Sequence, residues 1–181
     1  MERRKVFLTG LLVFLCASVA YAQSSSIFKK YGDKSNVSSV YISKTMLEMQ
    51  PNLYANDMYI GKVAGQLDAV YIVSSHDNKL KKDLRSDIED YIKKGKFEVL
   101  MKQKGLVSAS SIYIKKKGDK VKELVMVTDG AAKLTFTQMF GELTLKDIQH
   151  ITNSHGTGCA HLFTIPNPES SLTHIEILSS F

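Results

Sequence analysis

His150, His155, Cys159 and His161 form the densest group of chemically able side chains in the sequence, with His174 farther on. Imidazole and thiolate both ligate zinc or copper, and the order H-x4-H-x3-C-x-H would let a loop fold around an ion. The spacing matches no strong metal pattern such as paired C-x2-C units. A polar, histidine-containing segment is the plainer reading, so the expectation is no metal and no cofactor, with these four residues as the candidates. Cys159 could also act as a nucleophile beside a histidine base, since His155-Gly156-Thr157-Gly158-Cys159 reads as a loop. A catalytic cysteine needs a rigidly placed partner, and this one lies where apolar patterning is sparse. A free thiol is the simpler account.

No G-x-S-x-G elbow, Walker loop, G-x-G-x-x-G turn or H-E-x-x-H helix occurs. Asp83, Asp87, Glu89 and Asp90 share one predicted helix, but they alternate with lysines and have no apolar setting to raise a pKa. Met46, Met49 and Met58, near Tyr54 and Tyr59, read as core packing, with a pliable apolar groove as the alternative. No catalytic residue is assigned, and a non-enzymatic protein is expected.

The elements that would position these residues begin after an address. Arg3, Arg4 and Lys5 precede an apolar run over residues 6–20, and Ala20-Tyr21-Ala22 places small residues where a signal peptidase requires them. The run is too short to span a bilayer, which needs about 20 apolar residues. Export to the periplasm or cell envelope follows, with cleavage before Gln23. Cys16 leaves with the signal, so Cys159 has no intramolecular partner although an oxidising compartment permits disulfides.

A 44% hydrophobic composition with 3 Pro and 11 Gly in 181 residues excludes a disordered or collagen-like chain and predicts one modest globular domain. Residues 24–31 carry Ile27, Phe28 and Tyr31 at helical spacing. Residues 37–43 alternate as a strand, and residues 44–50 make a helical turn stopped by Pro51. Met58, Ile60, Val63, Ala64 and Leu67 suggest a second helical stretch, and the continuous apolar run at 69–73 a central strand. Asp77 or Asn78 caps a long helix with Leu80, Leu84, Ile88, Tyr91 and Ile92 along one stripe. Residues 97–102, 110–115, 121–128 and 134–140 then read as four strands, joined partly by Lys117-Gly118-Asp119 and by the hairpin dipeptide Asp129-Gly130. Thr144 caps a last helix that presents Leu145, Ile148 and Ile151. Helices early and strands late predict an α+β single domain: a mostly antiparallel sheet with helices packed on one face.

Charge is uneven. The stretch that opens at Lys79 and closes at Lys122 holds 14 basic residues against 6 acidic ones. Thirteen of the 14 are lysines, whereas bidentate phosphate or base recognition favours arginine's planar fork, so no nucleic acid partner is expected. A solvated face, laced by opposite charges four apart at Arg85/Glu89, Glu89/Lys93 and Asp90/Lys94, is the main reading. Contact with a polyanion or anionic lipid is the alternative. After Lys146 the remaining 35 residues contain no Lys or Arg. That break, with Pro166-Asn167-Pro168, marks residues 152–181 as a divergent tail in which Thr173 to Leu178 has strand character.

The order of these features is telling. Ile27-Phe28-Lys29-Lys30-Tyr31, Val40-Tyr41-Ile42-Ser43-Lys44-Thr45-Met46, the long helix followed by Phe97-Glu98-Val99-Leu100-Met101, Glu123-Leu124-Val125-Met126-Val127, and Gly141-Glu142-Leu143-Thr144-Leu145 succeed one another along the chain. Together they resemble a family of small exported proteins of Bacteroides-type Gram-negative bacteria, the domain of unknown function four-two-five-two. The likeness covers about residues 24–151. It implies export, a single domain over residues 23–151, no catalytic residues to carry over, and an envelope-stress or signalling context through neighbouring extracytoplasmic-function sigma-factor genes. The expectation is an exported binding or signalling module whose partner is an envelope protein, with a metal- or thiol-dependent protein and a lipid or polyanion binder as alternatives.

Overall fold

Three strands of this chain are apolar on both sides, and that pattern organises the rest. In the computed structural model, which describes residues 25–50, 53–55 and 58–153, they are β4 (Leu67–Ser75), β7 (Lys120–Gly130) and β8 (Leu134–Leu143). With β1 (Val37–Ser43), β5 (Glu98–Lys104) and β6 (Ser108–Lys117) they form one six-stranded sheet in the order β1-β4-β8-β7-β6-β5, every pair antiparallel. The expected α+β class with an antiparallel meander is what the chain adopts. The run at 69–73 is central, between β1 and β8.

The helices, expected on one face, divide between both. On the first face α1 (Ser26–Tyr31) and α3 (Asn78–Lys94) bury Ile27, Tyr31, Leu84 and Ile88 against Val73, Val125 and Phe136. On the second, α2 (Lys44–Met49), a 3-10 turn (Gly61–Gln66) and α4 (Leu145–Asn153) bring Leu47, Val63, Ile148 and Ile151 to Val70, Leu124 and Met139. Strands that are apolar on both sides need cover on both sides, and short elements supply the second layer.

The second helical stretch expected around residues 58–67 is not α-helical. Met58 and Tyr59 form β3 (Met58–Tyr59), paired with β2 (Tyr54–Ala55), and the 3-10 turn follows. Met58, Ile60, Val63, Ala64 and Leu67 are all buried in one cluster. Their spacing therefore reported burial on one side, while Gly61 and Gly65 lower α-helical propensity across the segment. Met46 and Met49, read as core, are exposed on α2, Tyr54 is exposed on β2, and only Met58 of the three methionines is buried.

Caps fix the helix starts. Ser25 Oγ accepts from Phe28 N, Ser43 Oγ from Met46 N, and Asp77 Oδ1 from Leu80 N at 2.8 Å. Thr144 and Asp147 cap α4 reciprocally, Asp147 N donating to Thr144 Oγ1 while its carboxylate accepts from Thr144 N and Oγ1. Partial burial works against the charge of Asp147, yet these hydrogen bonds hold its carboxyl below its usual range. Replacing Asp77 by alanine removes the only side-chain cap of the 17-residue α3 and is expected to cost about 1 kcal/mol. A lowered urea midpoint with an unchanged slope checks it; an unchanged midpoint contradicts it.

Two hairpin turns differ in how they match expectation. Gly118 follows β6 with a positive φ of 62°, as a tight hairpin requires, and Lys117 pairs with Lys120 around it. At Asp129-Gly130 the strand instead continues, because Gly130 still pairs with Ser108 of β6, and the chain reverses over residues 131–133. Among the described residues no helix is long and apolar enough to cross a membrane. The N-terminal 22 residues and the tail features from residue 154 onward lie outside the described residues.

Candidate functional site

Of the four metal candidates only His150 falls among the described residues, exposed on α4; His155, Cys159 and His161 lie beyond them. Among the described residues no group of three or more His, Cys, Asp or Glu side chains could hold a metal ion. The geometry that offers a site lies elsewhere.

A groove of about 370 Å³ runs between α3 and the outer strands β5, β6 and β7. Its apolar surface comes from Ile88 and Ile92 of α3, Val99 of β5, Tyr113 of β6 and Val127 of β7. The stripe of α3 is wider than the sheet beneath it fills. Leu84 and Ile88 are fully packed, whereas Ile92, a turn later, is only half-buried. A register shift between Val99 and Met101 bends β5 at this point. The groove is thus a product of helix length against strand curvature.

Its rim is charged. Arg85 grips Asp129 with both nitrogens, Nε to Oδ2 at 2.7 Å and Nη2 to Oδ1 at 2.8 Å. Those hydrogen bonds raise the Arg85 pKa further above its ordinary value. Glu89, Lys93 and Lys102 complete the rim, and Lys102 Nζ sits 6.0 Å above the Tyr113 ring. Of the helical pairs expected four apart, Asp90 and Lys94 meet at 3.0 Å, while Arg85 leaves Glu89 for Asp129. Lys93 and Lys102 hold no ion pair among the described residues. The lining contains hydroxyls from Ser111 and Tyr113 but no histidine or cysteine. Chemically it can receive an apolar segment and meet a carboxylate at its cationic side.

Beneath α3 lies a polar knot that sequence reading missed. Tyr91 donates to the buried Glu123 carboxylate, and Gln138 Nε2 donates both to that carboxylate and to Tyr91 Oη, the latter at 2.7 Å. Gln138 Oε1 is buried with no hydrogen-bond partner among the described residues. Burial, then the bond to Glu123, pushes the Tyr91 hydroxyl well above its ordinary pKa. The signal was available: Glu123 and Gln138 interrupt otherwise apolar central strands, and buried polar groups require partners.

The lysine-rich stretch is also redistributed. Lys115, Lys116, Lys117 and Lys120 lie at the β6–β7 turn, while Lys102 and Lys104 lie toward the opposite end of the strands. Ten residues of β6 separate those ends, about 33 Å at strand rise. Lys116 pairs with Glu98 at 2.8 Å, and Lys122 pairs with Glu142.

An antiparallel six-stranded sheet covered on both faces, with an amphipathic groove under its longest helix, defines a small α+β domain. Residues 31–151 match the family described as Domain of unknown function (DUF4252), and the chain belongs to that family. No curated protein and no solved structure matches it.

Proposed function

We propose that this protein is an exported, non-catalytic binding module of the cell envelope that receives an extended, acidic-apolar segment of an envelope protein in the α3/β5–β7 groove. The observation that carries the reading is the groove itself, with an apolar floor of Ile88, Ile92, Val99, Tyr113 and Val127 beside two cations, Lys93 and Lys102, that hold no ion pair among the described residues. Apolar side chains left half-open next to uncompensated charge match a partner that brings aliphatic side chains and a carboxylate together. The export component rests on the basic start, the apolar run over residues 6–20 and Ala20-Tyr21-Ala22.

The test places a photo-crosslinking residue at position 99 in living cells, with position 117 at the far turn as control. The expected result is a discrete protein adduct from position 99 that is absent from position 117. It should disappear with Ile92→Asp and with Lys93→Glu/Lys102→Glu but survive Lys79→Glu, an exposed change outside the groove. Adducts of equal yield from both positions, or an adduct indifferent to the rim charges, would overturn the groove as the site. Recovery of the cellular protein with residues 1–22 still attached and inside the cytoplasm would overturn export.

A further inference from the structure

A single exposed apolar side chain is ordinary, whereas adjoining ones that form a patch mark a contact surface. Leu106 is fully exposed and Val107 is 76% exposed, side by side at the turn between β5 and β6. The turn is held in place. Gly105 N donates to Ser108 O at 2.8 Å, and Ala131 N of the neighbouring β7–β8 turn donates to Val107 O at 3.3 Å. That second turn is tied down in its own way, since the buried Lys81 donates to Gly130 O at 3.2 Å and to Ala131 O at 2.6 Å. Two hydrogen-bonded turns therefore form one end of the domain, with Leu106 and Val107 projecting from it beside the exposed Ala131 and Ala132.

The charge around this tip has one sign. Lys102 and Lys104 precede it and Lys133 stands in the adjoining turn, while residues 99–118 and 130–141 contain no Asp or Glu. Asp129, the carboxylate that adjoins the second turn in the sequence, is held by Arg85. A projecting aliphatic pair whose two turns, residues 105–108 and 130–133, contain no aromatic residue and no arginine is a poor core for a protein interface, which favours aromatic and arginine anchors. It suits a surface that is anionic outside and hydrocarbon beneath.

We infer that the β5–β6 turn is a membrane-contact tip: Leu106 and Val107 enter the headgroup–acyl boundary of an anionic bilayer while Lys102, Lys104 and Lys133 meet lipid phosphates. Lys102 is shared with the groove rim, whereas Leu106, Val107, Lys104 and Lys133 line no part of the groove. Gly105 N, Val107 O, Gly130 O and both backbone groups of Ala131 are already bonded, within or between the two turns or to Lys81, so entry does not strand those groups in hydrocarbon.

The test uses the chain from Gln23 onward, which keeps every described residue and drops an apolar run that would partition by itself. It is sedimented with vesicles of phosphatidylcholine alone or of equimolar phosphatidylcholine and phosphatidylglycerol. Binding to the mixed vesicles is expected, weaker by about tenfold or more on neutral ones. Leu106→Ser/Val107→Ser should lose about tenfold with an unchanged unfolding midpoint, both side chains being outside the core. Lys102→Gln/Lys104→Gln/Lys133→Gln should lose a similar factor and flatten the salt dependence. The chain contains no tryptophan, so Leu106→Trp gives a single reporter whose emission should shift to the blue on anionic vesicles. Equal sedimentation of the serine variant and the parent, or binding without an emission shift, overturns the inference. So does failure to bind vesicles together with a protein adduct from a crosslinker at position 106, which would make the tip a protein contact.

Discussion

Gly141→Ala is expected to destabilise the domain by about 3 kcal/mol or more, enough to leave a small domain largely unfolded under mild challenge. Gly141 pairs with Leu67 where the 3-10 turn runs into β4, and the register shifts between Leu67 and Ala69 at that point. A Cβ added there would lie 2.2 Å from Gln66 O and 2.9 Å from Leu67 Cα. Both are backbone atoms, so no side-chain rotation relieves the clash. Moving them would pull Leu67, which is buried, out of the second-face core, or would open the β4–β8 pairing. Gly65→Ala, in the same turn, is the control: its added Cβ meets nothing within 4 Å, so that variant should match the parent or gain a few tenths of a kcal/mol through the unfolded chain. Urea unfolding of both variants decides it. Equal midpoints for Gly141→Ala and Gly65→Ala would show that the sheet yields at this crossing.

The contrast between these two glycines bears on what could be read in advance. Periodicity placed α3 and its Asp77 cap, the central position of β4 and the β6–β7 hairpin, because each is set by local pattern and a local turn. Around residues 58–67 it misled. Close approach of β8 at Gly141 allows a tight 3-10 turn to bury the same apolar residues that an α-helix would. The family resemblance, drawn from packing positions over about residues 24–151, agrees with the matched span of residues 31–151. Reading for chemistry drew attention to His150, His155, Cys159 and His161, of which the described fold contains only the first. The groove stayed hidden because its lining comes from four elements, and its Arg85–Asp129 clamp joins residues 44 apart that the sheet brings together. Nothing in the spacing of Arg85 and Glu89 shows that a β7 carboxylate holds the arginine instead.

Tyr91→Phe is expected to cost about 2–3 kcal/mol, although it removes a single oxygen. That oxygen donates to Glu123 and accepts from Gln138, so its loss leaves a buried carboxylate resting on one amide, with Gln138 Oε1 already without a partner. If the cost arises from stranded polar groups, removing them together should return it. The combined Tyr91→Phe, Glu123→Leu and Gln138→Leu variant is expected to approach or exceed parental stability. A triple variant no more stable than Tyr91→Phe alone would show that the knot contributes directly.

Two tyrosines that donate to carboxylates, Tyr91 in this network and Tyr31 between α1 and α3, set an alkaline limit. Burial and then hydrogen bonds to Glu123 and Asp87 raise the hydroxyl pKa values of Tyr91 and Tyr31 well above the ordinary value of about 10. The fold therefore favours the neutral phenols. That contribution is complete below about pH 10 and is lost as pH rises through that value toward the folded-state ones, because the unfolded chain releases these protons first. Stability measured by urea midpoint should hold from neutral pH to about pH 9 and then fall steeply. The fall should be shallower in Tyr91→Phe, which no longer has that proton to lose. An alkaline slope identical in parent and variant would remove Tyr91 from this linkage and leave Tyr31, bonded to Asp87 between α1 and α3, as its main source.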